Sequence, residues 1–188
     1  MIDIIRETAE ECGLKLNLKK SQVLIYNMEQ QPKEIKMIEV QNTVKYLGVT
    51  LNNKRNCYSN HIRDSMIKGN KYVSILPSTI ATSSNRLLIG KTYWKSIALP
   101  SMLFGSEVIN YNKTQLDELQ RIENKAWRYI LHAPKYAPVA TFRSEVGASS
   151  QRFRDMKNKI LFARHCFDNE LMKEILMDSI DYHYSKVD

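Results

Sequence analysis

The sequence predicts an α+β protein, with a small antiparallel β unit followed by an α-helical region. Three observations predict it. Apolar residues recur at a period of two through much of the first third, and at a period of 3.6 from about Ser59 onward. Gly13 and the prolines fall between these runs and punctuate them. With 43% hydrophobic residues and only 6 Gly and 5 Pro in 188, the composition is that of a chain that buries a core, neither disordered nor fibrous.

Taken in order, Ile2, Ile5, Ala9 and Cys12 repeat at helical spacing, and Gly13 is a helix stop. Leu14–Leu18 alternates apolar and polar and reads as a half-buried strand. Val23–Tyr26 reads as a second strand, ending in a polar turn that contains Pro32. Further strands are expected at Ile35–Val40 and Val44–Leu51. Ile62, Met66, Gly69, Val73 and Leu76 then form one helical stripe with Lys68 and Lys71 opposite, and Pro77 is expected to end that helix.

A helix from Asn85 towards Pro100 aligns Leu87, Gly90, Trp94 and Ala98, and sets Lys91 beside Lys95 at i,i+4. Trp94 and Trp127 adjoin apolar stripes and read as packing residues. Thr114 is the expected N-cap of a helix that buries Leu116, Leu119, Ile122, Ala126 and Ile130 and stops before Pro134. A short turn of helix at Thr141–Val146 closes at Gly147. An amphipathic helix then runs from Gln151 to about Phe167 through Phe153, Met156, Ile160, Leu161 and Ala163. A last helix over Asn169–Met177 gives way to a polar tail.

Charge is concentrated in one segment. The chain carries a net +8, and residues 31–99, with eleven bases and three acids, account for all of it. Between Asp64 and Glu107 there is no acid, while Lys68, Lys71, Arg86, Lys91 and Lys95 lie in that gap. A contiguous field of one sign is the footprint of a polyanionic partner, nucleic acid above all; a solvated basic surface is the alternative.

Several chemistries lack their signatures. Three dispersed cysteines give neither a disulfide framework nor a C-x-x-C spacing. The four histidines are scattered, and His165-Cys166 has no further ligand spacing beside it. The sequence holds no Walker glycine loop, no G-x-G-x-x-G and no G-x-S-x-G. Glu10-Glu11 reads as a solvated pair on an exposed helix face. No apolar run reaches the roughly 18 residues of a membrane span. Met1–Gly13, with four acids, is unlike a signal or transit peptide. The expectation is a soluble intracellular protein, nuclear or cytoplasmic, with no membrane partner.

The order of short motifs is more specific. Gly13-Leu14-x-x-Asn17-x-x-Lys20-Ser21 precedes Lys45-Tyr46-Leu47-Gly48-Val49. Then come Leu99-Pro100-Ser101-Met102-Leu103-Phe104-Gly105-Ser106-Glu107 and Leu119-Gln120-Arg121-Ile122 through Ile130-Leu131. Pro134, Pro138 and Glu145-Val146-Gly147 close the set. This series, covering most of residues 1–165, resembles the end of the palm and the thumb of non-LTR (LINE-type) retrotransposon reverse transcriptases.

The resemblance implies a partial palm over 1–56, a helical thumb over 57–133 and a post-thumb region over 134–188. It implies a template–primer of RNA, DNA or RNA–DNA hybrid as partner. Lys45, Tyr46, Leu47 and Gly48 would be the primer grip, where Gly48 allows close approach of backbone to nucleic acid and Tyr46 and Leu47 lie on opposite faces of a strand. Lys20 would be the family's motif lysine near the leaving pyrophosphate, although by itself it is a solvated turn lysine. Asn17 ties its turn through the side-chain amide. Lys68, Lys71, Lys91 and Lys95 would meet phosphates. Arg121 and Arg128 either extend that surface or pair with Asp117, Glu118 and Glu123.

The parent enzymes polymerise DNA on RNA with two Mg²⁺ ions held by aspartates, two of them in Y-A-D-D. This sequence contains no such motif. No cofactor is therefore expected in this chain, which reads as a fragment inactive on its own. The rival readings are a non-enzymatic, maturase-like nucleic-acid-binding module and a degenerate element copy without function.

Overall fold

The computed structural model describes residues 2–26, 32–81 and 83–184, apart from the side chains of residues 176 and 179–184. The chain is mixed α+β and divides into two compact units, Met1–Asp64 and Ser65–Asp188. No helix among the described residues is long and apolar enough to cross a membrane.

The first unit begins with α1, Ile2–Glu11, which buries none of its residues fully. Gly13 (φ 69°) ends it, as its sequence position indicates. Asp3 of α1 pairs with Lys36. The alternating Leu14–Leu18 is not a strand. Residues 14–17 pair with no neighbouring strand, and the chain curls into a turn in which Lys20 and Ser21 donate backbone N–H groups to the Asn17 carbonyl. Asn17 does tie this turn through its side chain, accepting from Lys20 N–H at 3.2 Å. Alternation alone could not supply the ladder partner that a strand requires.

Val23–Tyr26 shrinks to a single parallel bridge, Val23 to Val40. The turn expected after Tyr26, which contains Pro32, falls mostly on 27–31, outside the described residues.

The expected strand Ile35–Val40 is instead a miniature hairpin. β1 (Glu34–Ile35) pairs antiparallel with β2 (Ile38–Glu39) across Lys36 (φ 50°) and Met37 (φ 66°). Val44–Leu51 folds back in the same way, as β3 (Thr43–Tyr46) and β4 (Val49–Asn52). Two consecutive residues with positive φ make the tight turn whose twist suits a two-residue hairpin loop. In both cases the tight turn lies inside what periodicity reads as one strand.

The start of α2 (Ser59–Ala81) is fastened to this second hairpin. Thr50 N–H donates to His61 Nδ1 at 3.2 Å, Asn52 Nδ2 to Ser59 Oγ at 2.8 Å and Asn60 Nδ2 to Thr43 Oγ1 at 3.3 Å. His61 is itself buried, at 2% exposure.

The second unit is helical. α2 continues through Pro77, because its apolar stripe continues: Val73, Leu76 and Ile80 are all buried. Burying an Ile side chain is worth about 1.5–3 kcal/mol, comparable to the cost of the hydrogen bond that Pro77 removes.

α3 (Arg86–Tyr93) starts at Asn85, whose side chain accepts from Leu88 N–H. It passes into a π-helical turn at Trp94–Ala98 and then α4, Leu99–Met102. Pro100 therefore does not end the segment. It occupies the first turn of α4, where a missing N–H is tolerated, and the π turn upstream widens the backbone that its ring would crowd. Trp94, Ala98 and Gly90 are buried on this segment, whereas Leu87 is 47% exposed.

α5 (Lys113–Leu131) is the central helix. Its cap is Asn112 in a reciprocal capping box with Gln115, not Thr114, and His132 (φ 54°) ends it. Leu119, Ile122, Ala126, Trp127 and Ile130 of α5 are buried, as is Trp94, so both tryptophans are packing residues. Gly90 lets α3 lie against Ile130, and Gly69 lets α2 lie against Met102 and Ile122.

α6 (Val139–Val146), closed by Gly147 (φ 60°), and α7 (Gln151–Asp168) also pack on α5. α7 sits with its polar side inward: Gln151 and Arg154 bond Glu123, and Asn158 bonds Ser106. Its expected apolar stripe points outward, with Phe153, Met156, Ile160 and Leu161 each at least half exposed. α8 runs from Glu170 to Tyr184, past the expected end at Met177.

Candidate nucleic-acid interface

On the first unit, the hairpin β3–β4 fixes the arrangement of residues 45–48. Lys45 faces Thr50 and Tyr46 faces Val49, leaving Leu47 and Gly48 as the two-residue tip. Leu47 is thus in the turn and not in a strand opposite Tyr46. Gly48 adopts φ 87°, open to glycine at no steric cost. Leu47 adopts φ 46°, a left-handed conformation that costs an ordinary residue about 1–2 kcal/mol. It receives no burial in return, being 77% exposed beside a Tyr46 that is 65% exposed. Lys45 is exposed too, as is Lys20 at the Asn17 turn.

On the second unit, Lys68 and Lys71 stand exposed on α2, opposite buried Gly69, Val73 and Leu76. Lys91 and Lys95 are half-buried. The Lys95 ammonium donates to the Val146 carbonyl at 3.3 Å, at the C-terminal end of α6, where a cation suits the helix dipole. Burial lowers the Lys95 pKa, and the charges of Lys91 and Arg154 lower it further against the pull of Glu123. Four lysines of similar standing in the sequence thus differ in setting: two face solvent and two are half-buried.

Arg128 pairs with none of Asp117, Glu118 and Glu123. Its guanidinium lies 4.9 Å from the Phe142 ring centroid and donates to the Ala137 carbonyl at 3.4 Å. Arg121 is exposed. Glu123 is fully buried and accepts from Trp127 Nε1 at 3.0 Å, Gln151 Nε2 at 3.0 Å and Arg154 at 2.8 Å.

Segment-wise charge counting passes over a further basic surface. A cleft of about 750 Å³ is lined by Pro77 and Ala81 of α2, by Arg86, and by Lys125, Arg128, Tyr129, His132 and Lys135. Residues 100–150 are almost neutral overall, because Glu107, Asp117, Glu118 and Glu145 offset these bases in the count without lining the cleft. The available signal was the alternation of bases and aromatics over 125–136.

Among the described residues, no group of three or more His, Cys, Asp or Glu converges as a metal site. No known protein family, curated protein or solved structure matches the chain.

Proposed function

We propose that this chain is a template–primer-binding portion of a non-LTR-type reverse transcriptase, holding nucleic acid without carrying the catalytic aspartates. On this reading the β3–β4 hairpin is the primer grip of a partial palm and α2 to α5 belong to the thumb. The observation that carries the reading is the hairpin tip. Leu47 is exposed and held in a left-handed turn, a local cost without a packing return, and such strain marks residues kept for contact. The tip coincides with Lys45-Tyr46-Leu47-Gly48, one of the ordered motifs. The exposed Lys68 and Lys71 on a helix with a buried apolar back fit phosphate contacts that add affinity and little sequence preference.

Binding of a fluorescently labelled RNA–DNA hybrid across a salt series tests this. Affinity should fall steeply with salt, and the double variant Lys68→Gln, Lys71→Gln should flatten the log–log slope by about 1–2, at roughly 0.9 for each phosphate that is no longer neutralised. Binding that ignores both salt and the variant would overturn the proposal.

A further inference from the structure

We infer that the cleft between the C-terminal parts of α2 and α5 binds a nucleotide unit of single-stranded nucleic acid, separately from the α2 surface. The inference deepens the nucleic-acid-binding reading and rests on it. Five groups with basic character line the cleft: Arg86, Lys125, Arg128, His132 and Lys135. No carboxylate lines it among the described residues.

Two of the bases are already engaged, and their engagement prepares the site. The C-terminal carbonyls of a helix repel an anion. Arg86 covers those of α5, donating Nε to Tyr129 O at 3.1 Å and to Ile130 O at 3.2 Å, with a second hydrogen bond to Tyr129 O through the guanidinium. Arg128 is fixed over Phe142 and keeps its charge at the cleft wall. Lys125 and Lys135 are exposed and reach a ligand without giving up any such bond.

The rest of the lining is suited to a base. Tyr129 is 47% exposed and lines the cleft beside Pro77, Ala81, Ala133 and Pro134. Tyr136, next in sequence to Lys135, is 89% exposed. An exposed ring among cations is how proteins hold single strands: a base stacks on the ring and its phosphate meets the cations, with little sequence preference. A duplex keeps its bases stacked inside and offers the ring nothing, so the cleft selects an unpaired strand.

The test uses the full chain and two labelled probes, a short single-stranded RNA and a blunt RNA–DNA hybrid. The variants are Tyr129→Leu, which keeps an apolar side chain on α5, and Lys125→Gln with Lys135→Gln, both at exposed positions. Thermal unfolding confirms that each remains folded. Each variant should weaken single-strand binding at least about fivefold and leave hybrid binding within about twofold. Retained hybrid binding with unchanged single-strand binding overturns this inference alone. Equal losses on both probes overturn the separateness of the site. Failure of the unaltered chain to bind either probe overturns both this inference and the proposed function.

Discussion

The Glu123 carboxylate, fully buried on α5, meets the Arg154 guanidinium of α7 at 2.8 Å. Trp127 and Gln151 donate to the same carboxylate, so its desolvation is offset on several sides. Removing one partner strands the other. Glu123→Ala should destabilise the chain by about 3–5 kcal/mol in urea unfolding. Adding Arg154→Met should cost less than the sum of the single changes, because the two residues form one unit. Additive costs would show that the pair is not coupled.

Gly90 and Gly69 should respond differently to alanine. A Cβ at Gly90 would sit 2.8 Å from Ile130 Cγ1 and 3.3 Å from Ile130 Cβ, and a β-branched core residue cannot swing away. At Gly69 the nearest atom is Met102 Sδ at 2.6 Å, towards the end of a flexible side chain, with Ile122 Cγ2 next at 3.0 Å, so the closest contact there can yield where the closest one at Gly90 cannot. Gly90→Ala should destabilise by about 1–3 kcal/mol, and Gly69→Ala by clearly less, as overpacking is offset by the helix propensity of alanine. Thermal or urea unfolding of the two variants checks the order.

Leu47→Asn should separate stability from contact. Asparagine tolerates the left-handed conformation and is preferred before glycine in such turns, so the variant should gain up to about 1 kcal/mol in stability. If Leu47 serves contact, the same variant should bind template–primer more weakly. Chemical unfolding and hybrid binding, measured on one preparation, give both answers.

Tyr111 should make stability fall at alkaline pH. Burial, and then the charges of Asp155 and Glu107, push its pKa up to about 12, against 10 for a free tyrosine. The folded state thus holds the proton that the unfolded state releases. The associated stability, about 2–3 kcal/mol, is fully present below pH 10 and is lost as pH rises from 10 to about 12. Tyr111→Phe should remove that loss. It should be no less stable than the parent at neutral pH, since the buried hydroxyl has no hydrogen-bond partner among the described residues. Unfolding free energies of both forms against pH provide the check.

The helices were legible because long amphipathic repeats mark their segments, and α2, α5 and α7 stand over the stretches so marked, although α2 continues past Pro77 and α7 turns its apolar stripe outward. Local chemistry read too coarsely caused most of the differences. Asn112 with Gln115 carries the capping-box spacing, yet Thr114 beside them also looks like a cap. Lys36-Met37 and Leu47-Gly48 make tight turns, and neither pair is the Asn-Gly that signals one. Glu123 lies at helical spacing between Leu119 and Trp127 on the buried stripe of α5, but Gln151 and Arg154, which complete the pairing of its charge, come from α7 and no local pattern points to them. The exposed Lys68 and Lys71 followed from helical spacing, whereas the half-burial of Lys91 and Lys95 depends on long-range packing that no local pattern encodes.

Photo-crosslinking from the hairpin tip tests the central claim most directly. With a photoreactive residue in place of Leu47, the chain is mixed with an RNA template annealed to a DNA primer whose 3′ end is recessed, and the crosslinked strand is mapped. A primer grip predicts crosslinks concentrated on the DNA strand near its 3′ end, competed away by excess unlabelled template–primer. Crosslinks spread evenly along the duplex, or none at a concentration where the complex forms, would contradict the account.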